Sequence, residues 1–258
     1  MTTDHDRLRA FWNERYVEFS LSESGWLGAG NGLNDRIYAC KAQALGRALA
    51  ALGIDARRAF TVLDGGCGQG YFARLFRDRY PQASYVGLDI SERAVTYLRS
   101  TIPGAEFHVA DLCAWTDPAG RRFDIVQSFE VLHLILDDAL MAAALANLAL
   151  HVKPGGALLV TAVLPEQTRQ PNGYVRYRSR RFWEDLLARL GLRIAAERPM
   201  FYWLPMSAPA NKYLRFALNQ FSPGALYAID RVALAARLPR PASLSMDCRM
   251  RLLTITRR

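Results

Sequence analysis

No run of apolar residues in this chain approaches the roughly 20 residues that a membrane-spanning helix needs. The most apolar helix candidate, residues 139–152, is too short and contains Asn147 and His151. The first six residues lack the basic segment followed by an apolar segment that marks a signal peptide. We therefore expect a cytoplasmic protein without a transmembrane segment.

Cysteine is also scarce. The four cysteines are scattered, with no C-x-x-C pair and no spacing typical of metal ligands: Cys40, Cys67, Cys113 and Cys248. This distribution fits a reducing compartment and argues against a structural zinc site. We predict that the protein binds no metal and keeps full activity after EDTA treatment.

Acidic residues are outnumbered, 24 against 33 lysines and arginines, which gives a net charge of +9. A basic protein can bind nucleic acid or an anionic membrane surface. Most of the positive residues are arginines spread along the chain, with local clusters at 176–181, 237–240 and 257–258. Two interpretations stay open: a solvated surface, or an anionic substrate or lipid headgroup bound near 176–181.

The 258 residues, of which 51% are hydrophobic, can bury the core of one α/β domain. Residues 1–59 read as a helical cap, with a loop at 26–34 and a helix at 36–53. Residues 60–199 alternate between strands and helices, and residues 200–258 read as an aromatic and proline-rich lid followed by a last strand at 249–256. Strands are predicted at 60–64, 84–89, 105–109, 123–129, 157–163 and 192–198, and helices at 69–79, 92–101, 137–152 and 179–190. Such alternation predicts a parallel sheet that binds ligands at the carboxyl ends of its strands.

Residues 61–70, Thr-Val-Leu-Asp-Gly-Gly-Cys-Gly-Gln-Gly, form the most informative segment. They predict a strand, a glycine-rich turn and a helix start, where backbone comes close to a bound nucleotide-like group. The spacing is G-x-G-x-G, whereas a dinucleotide site has G-x-G-x-x-G. Asp64 directly precedes the turn, and an acid there would repel a pyrophosphate and suit a cation.

Acids also follow the next two predicted strands, at Asp89 and Asp111. Each alone is an ordinary turn or capping residue. Together at one sheet edge they favour a nucleoside site, because Asp89 is placed to accept both hydrogen bonds of a ribose diol. Asp111 would accept from an adenine amine, and the amide of Leu112 would meet a ring nitrogen.

In order and spacing, the segments 61–70, 86–91, 109–112, 123–128 and 152–158 resemble the motifs of class I S-adenosylmethionine (SAM) methyltransferases. The resemblance covers about residues 60–199. It implies a Rossmann-like, doubly wound seven-stranded sheet whose last strand is antiparallel, with the lid inserted between strands six and seven. It also implies SAM as the cofactor. The predicted cofactor-binding residues in this region are Asp64, Gly65, Gly66, Cys67, Gly68, Gly70, Asp89, Ile90, Asp111, Leu112 and Phe129.

The segment 128–134, Ser-Phe-Glu-Val-Leu-His-Leu, is where such enzymes place groups that act on the acceptor. Many small-molecule methyltransferases resemble E-V-L-x-H here, with histidine one position later than in this chain. We expect His133 to contact the substrate or to act as a base, since histidine exchanges a proton near neutral pH. The alternative is a histidine with a structural hydrogen bond. Glu130 is the second catalytic candidate, with organisation of the loop as its alternative role.

Aromatic residues outside the central motifs complete the expected site. Tyr16 and Trp26 are expected to close over the methionine end of the cofactor, because aromatic faces attract cations. The predicted substrate-binding residues are Tyr38, Tyr174, Arg178, Tyr202 and Trp203. Core packing is the alternative for each of these aromatic residues.

The acceptor is predicted to be a small metabolite, methylated at oxygen, with nitrogen and carbon left open. A lipid or glycan headgroup is also compatible. Nucleic acid is disfavoured because the D/N-P-P-Y/F string of base-amino methyltransferases, which stacks a flipped base, is replaced here by Ser-Phe-Glu-Val. A protein acceptor, a SAM-dependent reaction without methyl transfer, and a non-catalytic binding module stay open, as do a monomer and a homodimer.

Overall fold

The computed structural model of the protein describes residues 4–25, 30–200, 224, 227–228, 231–232 and 250–257. The helices are α1 (Asp4–Arg15), α2 (Leu21–Ser24), α3 (Gly30–Ala51), α4 (Tyr71–Arg79), α5 (Glu92–Thr101), α6 (Asp138–Leu150) and α7 (Arg180–Arg189). The strands are β1 (Phe60–Gly65), β2 (Ala83–Asp89), β3 (Glu106–Val109), β4 (Phe123–Ser128), β5 (Val152–Ala162), β6 (Arg169–Asn172), β7 (Val175–Tyr177), β8 (Leu192–Pro199) and β9 (Arg251–Arg257). A short 3₁₀ turn covers Leu132–Leu134.

Seven strands form one sheet in the order β3-β2-β1-β4-β5-β9-β8. The pairs between β3 and β5 are parallel, and β9 lies antiparallel to both β5 and β8. From β1 the chain builds the sheet first toward β2 and β3, and then on the other side toward β4 and β5. The carboxyl ends of β1, β2 and β4 therefore meet at one edge, where a doubly wound sheet opens a crevice. The predicted fold class, including the antiparallel last strand, is confirmed.

The strand interiors are apolar because helices cover both faces of the sheet. One buried cluster packs α3 and α4 against the sheet, and includes Leu45, Phe76 and Phe107. A second packs α6 and α7 against the opposite face, and includes Leu145, Trp183 and Leu253. Helices α5, α6 and α7 start at side-chain caps, such as Ser91 accepting from the amide of Ala94.

Two element boundaries and one hairpin differ from the sequence prediction. Helix α3 begins at Gly30, so the predicted loop is wrong from residue 30 onward, since Leu33 and Asn34 are fully buried and packing outweighs the weak helix propensity of glycine. Strand β5 begins at Val152 rather than 157. The hairpin of β6 and β7 was not predicted, although the Asn172-Gly173 pair at its turn is a hairpin signal.

The predicted lid falls almost wholly outside the described residues. No helix in the described part of the chain is both long and apolar enough to cross a membrane.

Candidate functional site

A cavity opens at the carboxyl edge of the sheet, where the ends of β1, β2, β3 and β4 meet α1 and α3. Its volume is about 930 Å³, including the solvent at its mouth. Nine of the predicted cofactor-binding residues line it: Tyr16, Gly66, Cys67, Gly68, Asp89, Ile90, Asp111, Leu112 and Phe129.

The first amide groups of the glycine-rich turn between β1 and α4 donate hydrogen bonds to the neighbouring strand β2. The amides of Gly66 and Cys67 both donate to the carbonyl oxygen of Leu88, at 2.7 and 2.8 Å. Gly66 has φ +84°, and a Cβ atom there would lie 2.2 Å from Val131 Cγ2, so the turn requires glycine at this position. These amides are therefore not available to cradle a phosphate, in agreement with the prediction from the spacing.

Asp89 is buried at the wall of the cavity, and backbone amides hold its carboxylate. The amide of Gly68 donates to Oδ2 at 2.8 Å, and the amide of Ser91 donates to Oδ1 at 2.9 Å. Each oxygen keeps a second lone pair, so the fixed carboxylate can accept two further hydrogen bonds. Burial raises the pKa of Asp89, although hydrogen bonds from Ser91 and Gly68 oppose the shift.

Beyond Asp89, the cavity is bordered by the turn after β3. Asp111 accepts from the amide of Cys113 at 2.8 Å and lines the cavity beside Leu112. Gln69 lines the same cavity, and its Nε2 atom is buried without a hydrogen-bond partner among the described residues. An unpaired buried amide donor costs free energy unless a ligand supplies an acceptor. Gln69 is not among the residues that the sequence motifs predict.

Three predicted cofactor-binding residues lie outside the cavity wall: Asp64, Gly65 and Gly70. Asp64 is buried and accepts a short hydrogen bond from the hydroxyl of Tyr85. Burial raises the pKa of Asp64 from 3.8 to about 7, with the hydrogen bond from Tyr85 opposing the shift. Asp64 therefore organises the end of β1, rather than facing a cation directly. A Cβ atom on Gly70 would lie 2.3 Å from Leu98 Cδ2, so this glycine serves the packing of α4 on α5.

The N-terminal helices cover the cavity with aromatic side chains. Tyr16 is buried over the glycine turn, its hydroxyl 3.0 Å from where a Cβ atom on Gly68 would stand, and it stacks on Trp12. Tyr38 lines the inner wall, and its hydroxyl is 3.0 Å from Ser24 Oγ. Phe72 and Phe129 pack together with ring centroids 4.6 Å apart. Tyr16 and Tyr38, both of which the sequence predicts as site residues, thus lie at the cavity.

A buried ion pair that the sequence does not predict lies at the same wall. Lys41 of α3 forms a short salt bridge with Glu130, and its Nζ lies 4.0 Å from the centre of the Tyr38 ring. Glu130 has φ +59°, which is uncommon outside glycine, and its amide donates to Thr161 Oγ1 at 2.6 Å. Both charged residues line the cavity. Nothing in the spacing of α3 distinguished Lys41 from an ordinary helix lysine, because its partner is 89 positions away.

His133 lies next to this wall but is not among the residues that line it. Its ring centre is 5.7 Å from that of Tyr177, and its Nδ1 is buried without a hydrogen-bond partner among the described residues. Burial lowers the pKa of His133 from 6.5 to about 4; Lys41 and Arg178 also lower it, while Glu130 opposes the shift. The imidazole is therefore neutral near pH 7. Of the two catalytic candidates, the structure brings Glu130 to the cavity and places His133 behind it.

Two predicted substrate residues of the β6–β7 region lie elsewhere. Arg178 is buried, and its guanidinium donates to the carbonyls of Ile135, Leu136 and Asp137 and to the carboxylate of Asp138. It fastens the loop after the 3₁₀ turn instead of facing the cavity. Tyr174, at the hairpin turn, is half exposed and does not line the cavity either. Trp26, Tyr202 and Trp203 lie outside the described residues.

The arginine cluster at 176–181 is paired with acids. Arg176 and Arg178 both reach Asp138, and Arg180 reaches Glu197. Arg181 lies 3.7 Å from Asp185. The structure thus favours a solvated, internally neutralised surface over an anion site. Within the described ranges, no group of three histidine, cysteine, aspartate or glutamate residues could hold a metal ion.

The chain resembles proteins of known class in sequence. Residues 62–156 match the family model described as "Methyltransferase domain". Over 145 residues the chain is 32% identical to trans-aconitate 2-methyltransferase of Azoarcus sp. (strain BH72), and over 150 residues it is 29% identical to that of Acidovorax sp. (strain JS42). These alignments cover 56% and 57% of this chain, and 54% and 55% of the relatives. The chain thus spans about half the length of the curated relatives it matches.

Solved structures share the fold over most of the chain. The O-methyltransferase of a trans-AT polyketide synthase from Brevibacillus brevis, in complex with S-adenosyl-L-homocysteine, aligns over 95% of this chain and 82% of its own with a TM-score of 0.61 and 17% identity. Magnesium protoporphyrin IX methyltransferase from Synechocystis PCC 6803 aligns over 98% and 99%, with a TM-score of 0.59 and 16% identity. The family match over residues 62–156 and the strand order lead to one conclusion: this part of the chain resembles a methyltransferase domain built on a Rossmann-like sheet.

Proposed function

We propose that this protein transfers a methyl group from SAM to a small metabolite at an oxygen atom. The observation that carries the proposal is the position of Asp89 and the hydrogen bonds that hold its carboxylate. Its buried carboxylate is fixed by two backbone amides at the wall of a cavity, and each oxygen still has a lone pair for a ribose hydroxyl. A carboxylate held in this way suits the diol of a nucleoside without a phosphate.

The remaining residues of the cavity fit the rest of the cofactor. Asp111 and Leu112 would hold the adenine, and the unpaired Nε2 of Gln69 would donate to an acceptor on the ligand. Tyr16 and Tyr38 would cover the positively charged end with aromatic surface. When bound, SAM supplies an activated methyl group on a positively charged sulfur. The protein therefore has mainly to orient the acceptor and to exclude water.

Oxygen is proposed as the acceptor atom because an O-methyltransferase is among the neighbours in fold and because Glu130 lines the cavity, where it can hold the proton of a hydroxyl. Nitrogen and carbon are the alternatives, since an amino pentose methyltransferase shares the fold in part. The names of the sequence relatives make trans-aconitate a compound to be tested directly.

The first experiment uses SAM labelled in its methyl group, the purified protein and a host-cell extract separated into small-molecule, lipid, protein and nucleic-acid fractions. We expect label in the small-molecule fraction, where mass spectrometry identifies the product and the methylated atom. Asp89→Asn should keep the fold and lose most SAM binding in calorimetry, because an amide cannot accept from both ribose hydroxyls while it is held by two amides. Asp78→Asn, an exposed acid on α4, is the matched control.

Other outcomes have definite meanings. Label confined to nucleic acid or protein would overturn the proposed acceptor class, and label in the lipid fraction would move it to a headgroup. SAM binding with consumption of SAM and no labelled product would favour a reaction other than methyl transfer. Absence of SAM binding by the wild-type protein would overturn the proposal as a whole.

A further inference from the structure

The Lys41–Glu130 ion pair has no role in holding an adenosine, yet both of its members line the cavity. Asp89 and Asp111 mark one region of the wall as the nucleoside end. Lys41, Glu130 and Tyr38 lie together at the cavity wall, which Leu134 and Ile135 also line. Burying an ion pair costs free energy that the pair rarely regains in full, so its presence at a cavity wall calls for an explanation.

The two charges are not equally accessible. The side chain of Glu130 keeps 12% exposure, whereas that of Lys41 keeps 1%. The ammonium of Lys41 is enclosed by the Glu130 carboxylate and by the face of the Tyr38 ring. Both residues line the cavity, and the side chain of Glu130 is the more exposed of the two.

The backbone holds Glu130 in this position. The left-handed φ of +59° is strained for a residue with a side chain, and the hydrogen bond from its amide to Thr161 Oγ1 stabilises it. Strained residues of this kind concentrate at functional sites. Arg178 fastens the loop a few residues further on. Glu130 is thus fixed from both sides before any ligand arrives.

From this geometry we infer that the Lys41–Glu130 pair is the acceptor-recognition site, and that it takes an uncharged acceptor which donates a hydrogen bond from its hydroxyl or amino group to Glu130. The inference deepens the proposed function and rests on it. Glu130 touches the acceptor, and Lys41 is a positioning residue that holds the Glu130 carboxylate at the cavity wall. A carboxylate-bearing acceptor would face Glu130 while Lys41 is already neutralised, so the described wall disfavours a polyanion such as trans-aconitate.

Two fluorinated aromatic probes, one uncharged and one anionic, test this preference and do not require the natural acceptor. Binding of para-fluorophenol, an uncharged donor, and of para-fluorobenzoate, an anion, is measured by fluorine NMR on the protein saturated with S-adenosylhomocysteine. We expect the phenol to bind the wild-type protein about tenfold more tightly, the size of effect typical of a hydrogen bond to a charged group. A preference for the benzoate would overturn the inference.

Variants separate recognition from mere structural pairing. Glu130→Gln leaves Lys41 unpaired and should lower the phenol-to-benzoate preference by about tenfold. Lys41→Arg keeps the charge and should retain the wild-type preference. If Glu130→Gln does not fold, the double variant Lys41→Met, Glu130→Leu tests the inference instead, because buried ion pairs tolerate apolar replacement. This double variant should bind both probes equally weakly.

Lys153→Gln is the matched control, since Lys153 forms a 2.8 Å ion pair with Asp124 away from the cavity. It should leave the preference unchanged. A wild-type preference retained in Glu130→Gln or in the double variant would overturn the inference. Calorimetry with S-adenosylhomocysteine distinguishes failure of this inference from failure of the proposed function. If S-adenosylhomocysteine binds and the variants keep the wild-type preference for the phenol, only the acceptor site is refuted. If S-adenosylhomocysteine does not bind the wild-type protein, the proposed function is refuted.

Discussion

His133 shows how burial changes the chemistry available to a single residue. An exposed histidine would exchange a proton near pH 6.5, but the buried imidazole of His133 has a pKa lowered to about 4. It is neutral over the range in which most enzymes work, and its Nδ1 has no partner among the described residues. A general base is most effective with a pKa near the working pH. Glu130, at the cavity wall, is better placed for contact with the acceptor.

The lowered pKa of His133 predicts a dependence of stability on pH. The unfolded chain binds the proton with the ordinary pKa of 6.5, so below that pH protonation favours unfolding until the folded pKa near 4 is passed. The loss is at most about 1.4 kcal/mol per pH unit in this window. Urea unfolding at pH 7.5 and pH 5 should therefore show a smaller drop in stability for His133→Gln than for the wild type, by about 2 kcal/mol.

The same variant tests the catalytic hypothesis for His133. Once an acceptor is identified, near-normal turnover and an unchanged pH profile in His133→Gln would exclude this residue as the base. A loss of turnover of a hundredfold or more, the ordinary size of a general-base effect, together with a shifted acidic limb, would restore it. An identical drop in stability for both proteins between the two pH values would contradict the burial argument.

The loop after the 3₁₀ turn is an element held by one side chain. Carbonyl groups at 132, 135, 136 and 137 all point toward Arg178, whose Nε also donates to Asp138 at 2.8 Å. A guanidinium offers five donors in a fixed planar fork, whereas an ammonium offers three on one atom. Arg178 lies on the segment after β7, so the hairpin of β6 and β7 brings the clamp to the loop.

Replacing this clamp should destabilise the loop and the wall of the cavity that it supports. We expect Arg178→Lys to lower the free energy of unfolding by about 2 to 4 kcal/mol, because buried acceptors lose their donors. Amide exchange at residues 132–138 should accelerate more than exchange in β1. Arg181→Lys is the control, because Arg181 is 90% exposed in the same cluster and should change stability by less than about 0.5 kcal/mol. Equal effects of the two substitutions would refute the clamp.

The difference between Asp89 and Arg178 shows what the sequence could predict. Asp89 follows a strand of clear apolar pattern, so its place at the sheet edge was predictable from local order alone. Arg178 and Lys41 acquired their roles from partners about 40 and 89 positions away. An arginine in a basic cluster looks the same whether it faces a substrate or a set of buried carbonyls. Local patterns therefore predicted the core sheet and most of the strand-end residues that line the cavity, while the contacts of Lys41 and Arg178 depended on partners distant in sequence.

At the scale of the whole molecule, ion pairs within the described ranges offset part of the net charge of +9. The arginines at 176–181 are matched by acids, as Arg121 is by Glu106 and Asp117. Electrostatic binding of nucleic acid needs unmatched positive charge on one face. The distribution is consistent with the proposed small-molecule acceptor.

The N-terminal helices and the sheet form one site. The side chain of Asn13 in α1 lies 2.7 Å from Ser91 Oγ, next to the chain that positions Asp89. Phe19 stacks on Tyr97 of α5 at 3.8 Å. Trp12 and Tyr16 of the same region line the cavity. We propose that residues 1–59 act as a cap whose order is coupled to occupation of the cavity.

This coupling predicts that a ligand bound at the sheet edge rigidifies a helix that is remote in sequence. Saturation with S-adenosylhomocysteine should slow amide exchange within Asp4–Arg15 as well as in the glycine turn, because ligand binding and ordering of α1 stabilise each other. Asn13→Ala removes the contact with Ser91 and should weaken S-adenosylhomocysteine binding about three- to tenfold, the value of one hydrogen bond. Glu14→Ala, at the exposed neighbouring position, should leave the affinity unchanged. If the ligand protects the glycine turn and leaves α1 exchanging as before, the cap is not coupled to the site, and Trp12 and Tyr16 contribute packing alone.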